Sequence, residues 1–364
     1  MRVAGFAQDR GACNMLRIKF PLEKIRYLQL CEVDVITRLD PSIEETIEKC
    51  DVMFIGRVAG DQTLRMISRA KSMGKKVVLD LDDNLFDVSV FSQHYKSYGV
   101  MPVNYQEEDG SYVDFYKDGE DGFDVKRNRK IRKSFIDIMR LVDCMTVTTE
   151  PLEKVYKRFC DRVRIVPNSI DFKTWDKPDI SRNDGKLRIL YTGAGNHRED
   201  WIYIYPILSR ILKKYESVQI VLIGTDWRDC TKDFDYSRVE VHPWVDFEAY
   251  PYMVKSLCCD IGIAPISETD FNDARSELKW VEYASQKMPC VATNWGPYKR
   301  SVKNGETGIL VSNPEEWEEG LSRLIEDRFL RETMGRNAYK ECKRNFNLDY
   351  TVDKWVKVFQ EVVQ

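Results

Sequence analysis

The sequence predicts an α/β protein of two Rossmann-like, doubly wound domains facing each other across a cleft. Three observations carry that expectation. Short apolar runs alternate with stretches of helical period along almost the whole chain, the rhythm of parallel βαβ units. The rhythm runs once, then restarts after a polar interval. The chain has 364 residues, long for one hydrophobic core and comfortable for two.

In the first half, strands are expected at 2–6, 33–37, 52–56, 76–80, 144–148 and 162–166, with helical patterns at 43–50, 61–73 and 151–159. In the second half, strands are expected at 187–192, 218–223, 239–242, 260–264 and 289–293, and helices at 201–214, 247–256, 278–286 and 315–326. Between them, 173–185 carries the string DKPDISRNDG, rich in turn residues and without periodicity, so it reads as a linker. The first domain is then 1–172 and the second 185–348. Ligands of such sheets bind beyond the carboxyl ends of the strands, here toward the cleft.

Composition narrows the function. Hydrophobic residues make up 43% and charged residues 32%, which argues against disorder. A net charge of −3 supplies no global positive field to recruit nucleic acid or anionic lipid. The opening MRVAGFAQDRGACN lacks a secretory apolar core, and no run is long enough to span a membrane. Ten cysteines are scattered without a C-x-x-C pair and read as free thiols in a reducing compartment. The expectation is a soluble, cytoplasmic protein. With three histidines and no ligand spacing, no metal site is expected.

One segment breaks the rhythm. Residues 91–124 hold Tyr95, Tyr98, Tyr105, Tyr112 and Tyr116 among many acids. This long irregular insertion reads either as a surface loop or as a lid whose aromatic faces stack on an acceptor sugar. KRNRKIRK at 126–133 reads mainly as the solvated face of a helix, with contact to a membrane surface or anionic partner as the other reading.

Three segments carry chemistry. In LRILYTGAGNHRED (187–200), Gly193 and Gly195 follow a strand and precede a helix expected to start near Glu199. Glycines there let a backbone approach a phosphate, and His197 and Arg198 add donors. The alternative is an ordinary tight turn. In NDARSELKWVEYA (272–284), Asp273 is expected to cap a helix on which Arg275, Lys279 and Glu282 share one face at i, i+4 and i+7. Two cations suit a leaving diphosphate and the carboxylate suits ribose hydroxyls, whereas a surface Lys279–Glu282 ion pair is the simpler reading. In VLDLDDNLFD (78–87), Asp80, Asp82 and Asp83 stand at a strand's carboxyl end, for an acceptor hydroxyl, a loop cap or, least of all, a metal.

With those residues in view, the chain resembles the retaining GT-B glycosyltransferases of family four, the glycosyl transferases group 1. CMTVTTEPLEKVY with VRIVPNSID (163–171) is similar to the family's joint between domains, and LRILYTGAGNHRED to its phosphate loop. DIGIAPI followed by KWVEYASQKMPCVATNWGPYKRSVKNGETGILV (279–311) resembles its donor block. GACNMLRIKFPLEKI (11–25) and GKKVVLDLDDNLF resemble the first-domain motifs of a subset.

The resemblance implies a last helix, 349–364, that crosses back onto the first domain. It implies donor-binding roles for Gly11, Gly193, Gly195, His197, Arg275, Ser276, Glu282, Pro297 and Tyr298, with Glu282 as the ribose carboxylate. Lys279, Arg198 (in the place of the phosphate-loop lysine) and Asp83 become the catalytic candidates; Arg17, Asp82, Tyr95 and Tyr98 become the acceptor candidates. Two positions depart from the pattern. Ala274 stands for the first carboxylate of the E-x7-E motif, and Ala194 for the phosphate-loop arginine.

The implied function is metal-independent, retaining transfer of a hexose from a nucleotide diphosphate sugar, with UDP or GDP as leaving group, to a hydroxyl of a carbohydrate or lipid-linked acceptor. No cofactor is expected beyond that co-substrate. The departures keep open a catalytically weak binding module, and KRNRKIRK keeps open transfer to modified nucleic-acid bases. A Rossmann dehydrogenase is disfavoured because no G-x-G-x-x-G follows the first strand.

Overall fold

The computed structural model describes residues 1–7, 11–37, 43–57, 59–92, 94–106, 112–176, 182–231 and 234–364. The chain divides into two compact units, Met1–Pro167 with Val352–Gln364, and Asn168–Thr351.

The first unit contains β1 (Arg2–Phe6), β2 (Glu32–Ile36), β3 (Val52–Ile55), β4 (Lys76–Leu81), β5 (Val103–Gln106), β6 (Tyr112–Tyr116), β7 (Cys144–Val147) and β8 (Val163–Ile165). Six of these form a sheet in the order β2-β1-β3-β4-β7-β8, parallel throughout. Strands such as VMFI and CMTV are buried along their whole length, as expected where helices cover both faces. The helix Leu348–Val363 turns Val352, Trp355, Phe359 and Val362, at helical spacing, into this unit's core. There Trp355 and Phe359 each lie 5.2 Å from the Phe54 ring.

Two expectations about this unit are corrected. Arg17, read as an acceptor group, is only 2% exposed. Its guanidinium donates to Asp80 at 2.7 and 3.0 Å and to the Val166 carbonyl at 2.6 Å, and lies 4.8 Å above Trp355. Thr146 donates to the same carboxylate at 2.6 Å. The charge is fully matched inside the fold, so Arg17 ties elements together and is not offered to a ligand. The 91–124 insertion is not irregular throughout its described residues. It forms a short helix, Tyr95–Tyr98, and the antiparallel hairpin β5–β6. Its aromatics supply a small core of their own, in which Tyr95 is buried against Tyr116 and Phe123 and donates to the Met101 carbonyl at 3.0 Å. Residues 107–111 lie outside the described residues.

The second unit holds β9 (Leu187–Gly193), β10 (Val218–Gly224), β11 (Val239–His242), β12 (Ile261–Ala264), β13 (Cys290–Thr293) and β14 (Ile309–Val311). They pair in parallel in the order β11-β10-β9-β12-β13-β14. From β9 the sheet grows first toward β11 and then, from β12, the other way. The direction changes between β9 and β12, the place where doubly wound sheets open a crevice for ligands.

The start of the expected linker is also corrected. Phe172–Trp175 is a helix capped by Asp171, with Phe172 and Trp175 buried in the second unit. The Trp175 ring lies 5.8 Å from that of Tyr250, and its carbonyl accepts from Gln286 at 2.9 Å. Two apolar anchors therefore pull this segment into the second core. Residues 177–181 of the polar string lie outside the described residues.

Candidate active site

At the carboxyl end of β9 the chain passes Ala194 into a single 3₁₀ turn, Gly195–His197, and then into the helix Arg198–Lys214. The turn folds the imidazole of His197 back under the strand ends, where it is 8% exposed. Its Nδ1 lies 2.7 Å from Asp200 Oδ2. The other Asp200 oxygen accepts from the backbone and hydroxyl of Ser267, at 2.9 and 3.2 Å, in the loop after β12. This aspartate therefore stitches the two sides of the crevice together.

Two cations close on the other ring nitrogen. Lys279 Nζ is 2.9 Å from His197 Nε2, and Arg275 Nη2 is 3.2 Å from the same atom. Ammonium and guanidinium groups can only donate, so Nε2 is the acceptor and the proton sits on Nδ1, donated to Asp200. Burial first, then the charges of Lys279 and Arg275, hold the His197 pKa down at about 3, against the pull of Asp200. A neutral imidazole adds no third positive charge, which lets the two cations stand together. Burial alone would raise the Asp200 carboxyl, but the His197 hydrogen bond and the two cations hold it below its ordinary value. Lys279 is pushed down to about 7 by loss of water and by Arg275.

The helix Leu278–Ser285 places Glu282 one turn beyond Lys279. Glu282 is 6% exposed, and burial raises its pKa to about 7, against a hydrogen bond from Tyr250 at 3.0 Å and the nearby ammonium. The helix does not begin as expected. Asp273 lies inside a separate helix, Asp270–Ala274, capped by Thr269, and Arg275 follows it in extended conformation, with ψ of 164°. Arg275 therefore shares no helix face with Lys279; the two charges meet because the break at 275–277 swings the guanidinium onto His197. Ser276 in that break accepts from Asn168 at 2.9 Å.

The remaining donor candidates fall around this cluster in different ways. Pro297 and Tyr298 are buried in the helix Gly296–Ser301, behind the break. Gly296 has φ of 51°, and an added Cβ would lie 3.1 Å from Asp273 Cα, so any larger residue is strained there. Gly193 is buried at the strand end, and Gly195 is open on the side where a Cβ would stand. Arg198 is exposed at the first helical position and joins none of these contacts.

The sequence reading missed Trp244, in the loop after β11. It is 50% exposed, and its ring lies against Gly224, where an added Cβ would come within 2.8 Å of the indole. Gly224 has φ of 114° and would also strike the Gly193 carbonyl at 2.4 Å. The indole is 5.9 Å from Tyr250, whose hydroxyl holds Glu282. A large aromatic left half in water beside a buried carboxylate was signalled only by HPW immediately after a strand.

The catalytic candidate Asp83 belongs to the first unit. There it pairs with Arg57 at 3.0 Å, beyond the carboxyl ends of β3 and β4, and its carbonyl accepts from the Tyr156 hydroxyl at 2.6 Å. Burial opposes the Arg57 charge, but Asp82, Cys13 and Asp83 outweigh it and hold the guanidinium firmly ionised. Tyr98 stands close enough to feel that charge, although burial raises its own pKa. Gly11 is exposed at the start of the first helical turn, its carbonyl accepting from Met15 at 3.0 Å. Asp82, Asp83 and Tyr98 are thus gathered together with Arg57, which the sequence reading did not single out. Among the described residues, no group of three or more His, Cys, Asp or Glu side chains is arranged to hold a metal ion, and no helix is long and apolar enough to cross a membrane.

Two parallel α/β units with this crevice define a GT-B protein. The structures of sucrose-phosphate synthase from Thermosynechococcus elongatus and of HepE from Anabaena in complex with UDP share the fold. Their TM-scores are 0.62 and 0.64, at 14% and 12% identity. The first alignment covers 100% of this chain and 99% of the other; the second covers 99% and 100%. Residues 186–327 match the family described as glycosyl transferases group 1. Among curated proteins, the D-inositol 3-phosphate glycosyltransferase of Paenarthrobacter aurescens (strain TC1) is 26% identical over 245 residues, covering 62% of this chain and 58% of that protein. The alpha-1,3/1,6-mannosyltransferase ALG2 of Rhizomucor pusillus is 34% identical over 73 residues, covering 20% and 16%. The chain thus spans little more than half of the first of these relatives, at 58%, and a sixth of the second, at 16%.

Proposed function

We propose that this protein transfers a hexose from a nucleotide diphosphate sugar to a hydroxyl of a carbohydrate or lipid-linked acceptor, with retention and without a metal. The observation that carries the reading is the convergence of Lys279 and Arg275 on neutral His197 at the crevice between β9 and β12, with Glu282 one turn further on. Two cations held side by side suit the two phosphates of a leaving diphosphate, doing electrostatically what a metal would otherwise do. Glu282 accepts from ribose hydroxyls. Trp244 offers a flat face for the base, and UDP is the first base to test because HepE was solved with UDP and with UDP-glucose. The first unit takes the acceptor, with Asp82 and Asp83 as the groups that receive its hydroxyls, and the protein acts in the cytoplasm.

The carbonyl-free chemistry at the sugar carbon leaves the protein the task of orienting and stabilising. The acceptor hydroxyl attacks from the face that the diphosphate leaves, and its proton passes toward the departing phosphate. A second reading, a binding module without transfer, is favoured by Ala194 and Ala274, which remove one cation and one carboxylate from the usual pattern. Hydrolysis of UDP-glucose and related donors by the full chain separates the two. The transferase reading expects slow release of UDP that falls about tenfold or more in Lys279→Ala and in Glu282→Ala, with the fold retained by circular dichroism. Binding of UDP without any donor turnover establishes the module instead.

A further inference from the structure

The second strongly charged feature of the chain lies far in sequence from this site. The helix Val125–Leu141 buries Phe135, Ile138 and Met139, and holds Arg129, Arg132, Lys133, Ile136, Asp137 and Arg140 on another face, at i, i+3, i+4, i+7, i+8 and i+11. Together with Val100 these six line an open depression of about 430 Å³. Four of the residues are cations and one, Asp137, is an acid. Arg129, Lys133 and Arg140 are exposed and have no ion pair with a described residue. Arg127 and Lys130, on the flank, are occupied differently: Arg127 caps carbonyls of the insertion, and Lys130 pairs with Asp61 at 2.7 Å. Arg129 and Lys133 are therefore cations of KRNRKIRK that the described ion pairs leave unmatched, and Arg140 continues their face.

A separate observation points the same way. Arg132 lies 4.8 Å from the Phe86 ring and Arg158 lies 5.2 Å from it, so two guanidiniums share one aromatic. Burial and then the charge of Arg158 lower the Arg132 pKa. No carboxylate relieves this crowding among the described residues. Nearby, Met101 is 64% exposed, and Val100 and Ile136 are partly exposed between the cationic stems.

We propose that this face docks on a membrane surface rich in anionic phospholipid headgroups. From Arg129 to Arg140 the stripe runs about 16 Å along the helix, too long for one small phosphate and suited to several headgroups in a plane. Aliphatic stems and the apolar residues between them enter the interface while the charged heads reach the phosphates. The inference is independent of the donor site, since it concerns only first-unit residues that take no part in it.

The test is co-sedimentation of the full chain with vesicles of about 30% phosphatidylglycerol in phosphatidylcholine, against pure phosphatidylcholine, at low and high salt. The expected result is binding to the anionic vesicles alone, lost at high salt. Partitioning should fall about thirtyfold or more in the triple variant R129Q/K133Q/R140Q and rise in D137N. Far-UV circular dichroism and melting temperature check that the variants fold; because the altered residues are exposed, R129Q and K133Q singly serve if the triple variant does not. Equal sedimentation of wild type and variants, or equal binding to neutral vesicles, overturns the proposal. So does saturable binding of inorganic phosphate, read by thermal shift, that displaces the vesicles, because it would mark a small-anion site.

Discussion

Lys279 gives the donor site a measurable dependence on pH. In the empty site its pKa is held at about 7, because the ammonium has lost water and faces Arg275. A bound diphosphate brings negative charge to hydrogen-bond distance and raises that pKa. A group whose pKa is raised by binding strengthens binding fully below its free value, and the gain disappears as pH rises through the bound value. If the bound value exceeds about 9, affinity for UDP falls about 50-fold between about pH 7 and about pH 9. Glu282 works in the opposite sense: its pKa of about 7 means that more carboxylate is present at high pH, worth about twofold at most over the same window. His197, with its pKa near 3, contributes nothing there. Isothermal titration of UDP at several pH values reads the slope. Lys279→Met should bind UDP about tenfold to a hundredfold more weakly near neutral pH, the worth of one charged hydrogen bond, and should be nearly flat in pH. Lys279→Arg keeps its charge, so it too should be flat while binding more tightly than the methionine variant. Identical slopes in wild type and Lys279→Met would refute the reasoning.

Three further outcomes follow from the geometry. Trp244→Ala should weaken UDP about tenfold and leave pyrophosphate affinity unchanged, since stacking acts on the base alone; competition titrations check this. Gly224→Ala forces a Cβ onto the Gly193 carbonyl and the Trp244 ring at a positive φ, and should cost about 1–3 kcal/mol in denaturant melts together with weaker UDP binding. Arg17→Met leaves Asp80 buried and unpaired, at a cost of about 3–5 kcal/mol, and the double change with Asp80→Asn should recover part of it; thermal melts of both variants decide.

What could be read in advance follows from where the physical signal is local. The strands are apolar runs buried on both faces, so VMFI, CMTV and IGIA announce themselves without any partner in view. The turn after β9 was legible for the same reason, as glycines between a strand and a helix. Arg275 was misplaced because a helical period read straight through Ser276 and Glu277, whereas the backbone extends there and only the tertiary approach to His197 restores the pairing of charges. Arg17 looked like a ligand group because the carboxylate that neutralises it is 63 residues away. The tyrosines of the insertion looked like a sugar platform, yet Tyr95 and Tyr116 pack on Phe123 and form the core that the segment needs to fold at all. Trp244 and Arg57 were missed because each is a single residue just past a strand, with its meaning supplied entirely by neighbours from other strands.

The account depends most on where the diphosphate sits, and a crystal structure of the full chain with UDP tests it directly. The predicted result places phosphate oxygens within hydrogen-bond distance of both Lys279 and Arg275, with the ribose on Glu282 and His197 still donating to Asp200. Nucleotide bound elsewhere, with the Lys279–His197–Arg275 contacts left closed, would contradict it.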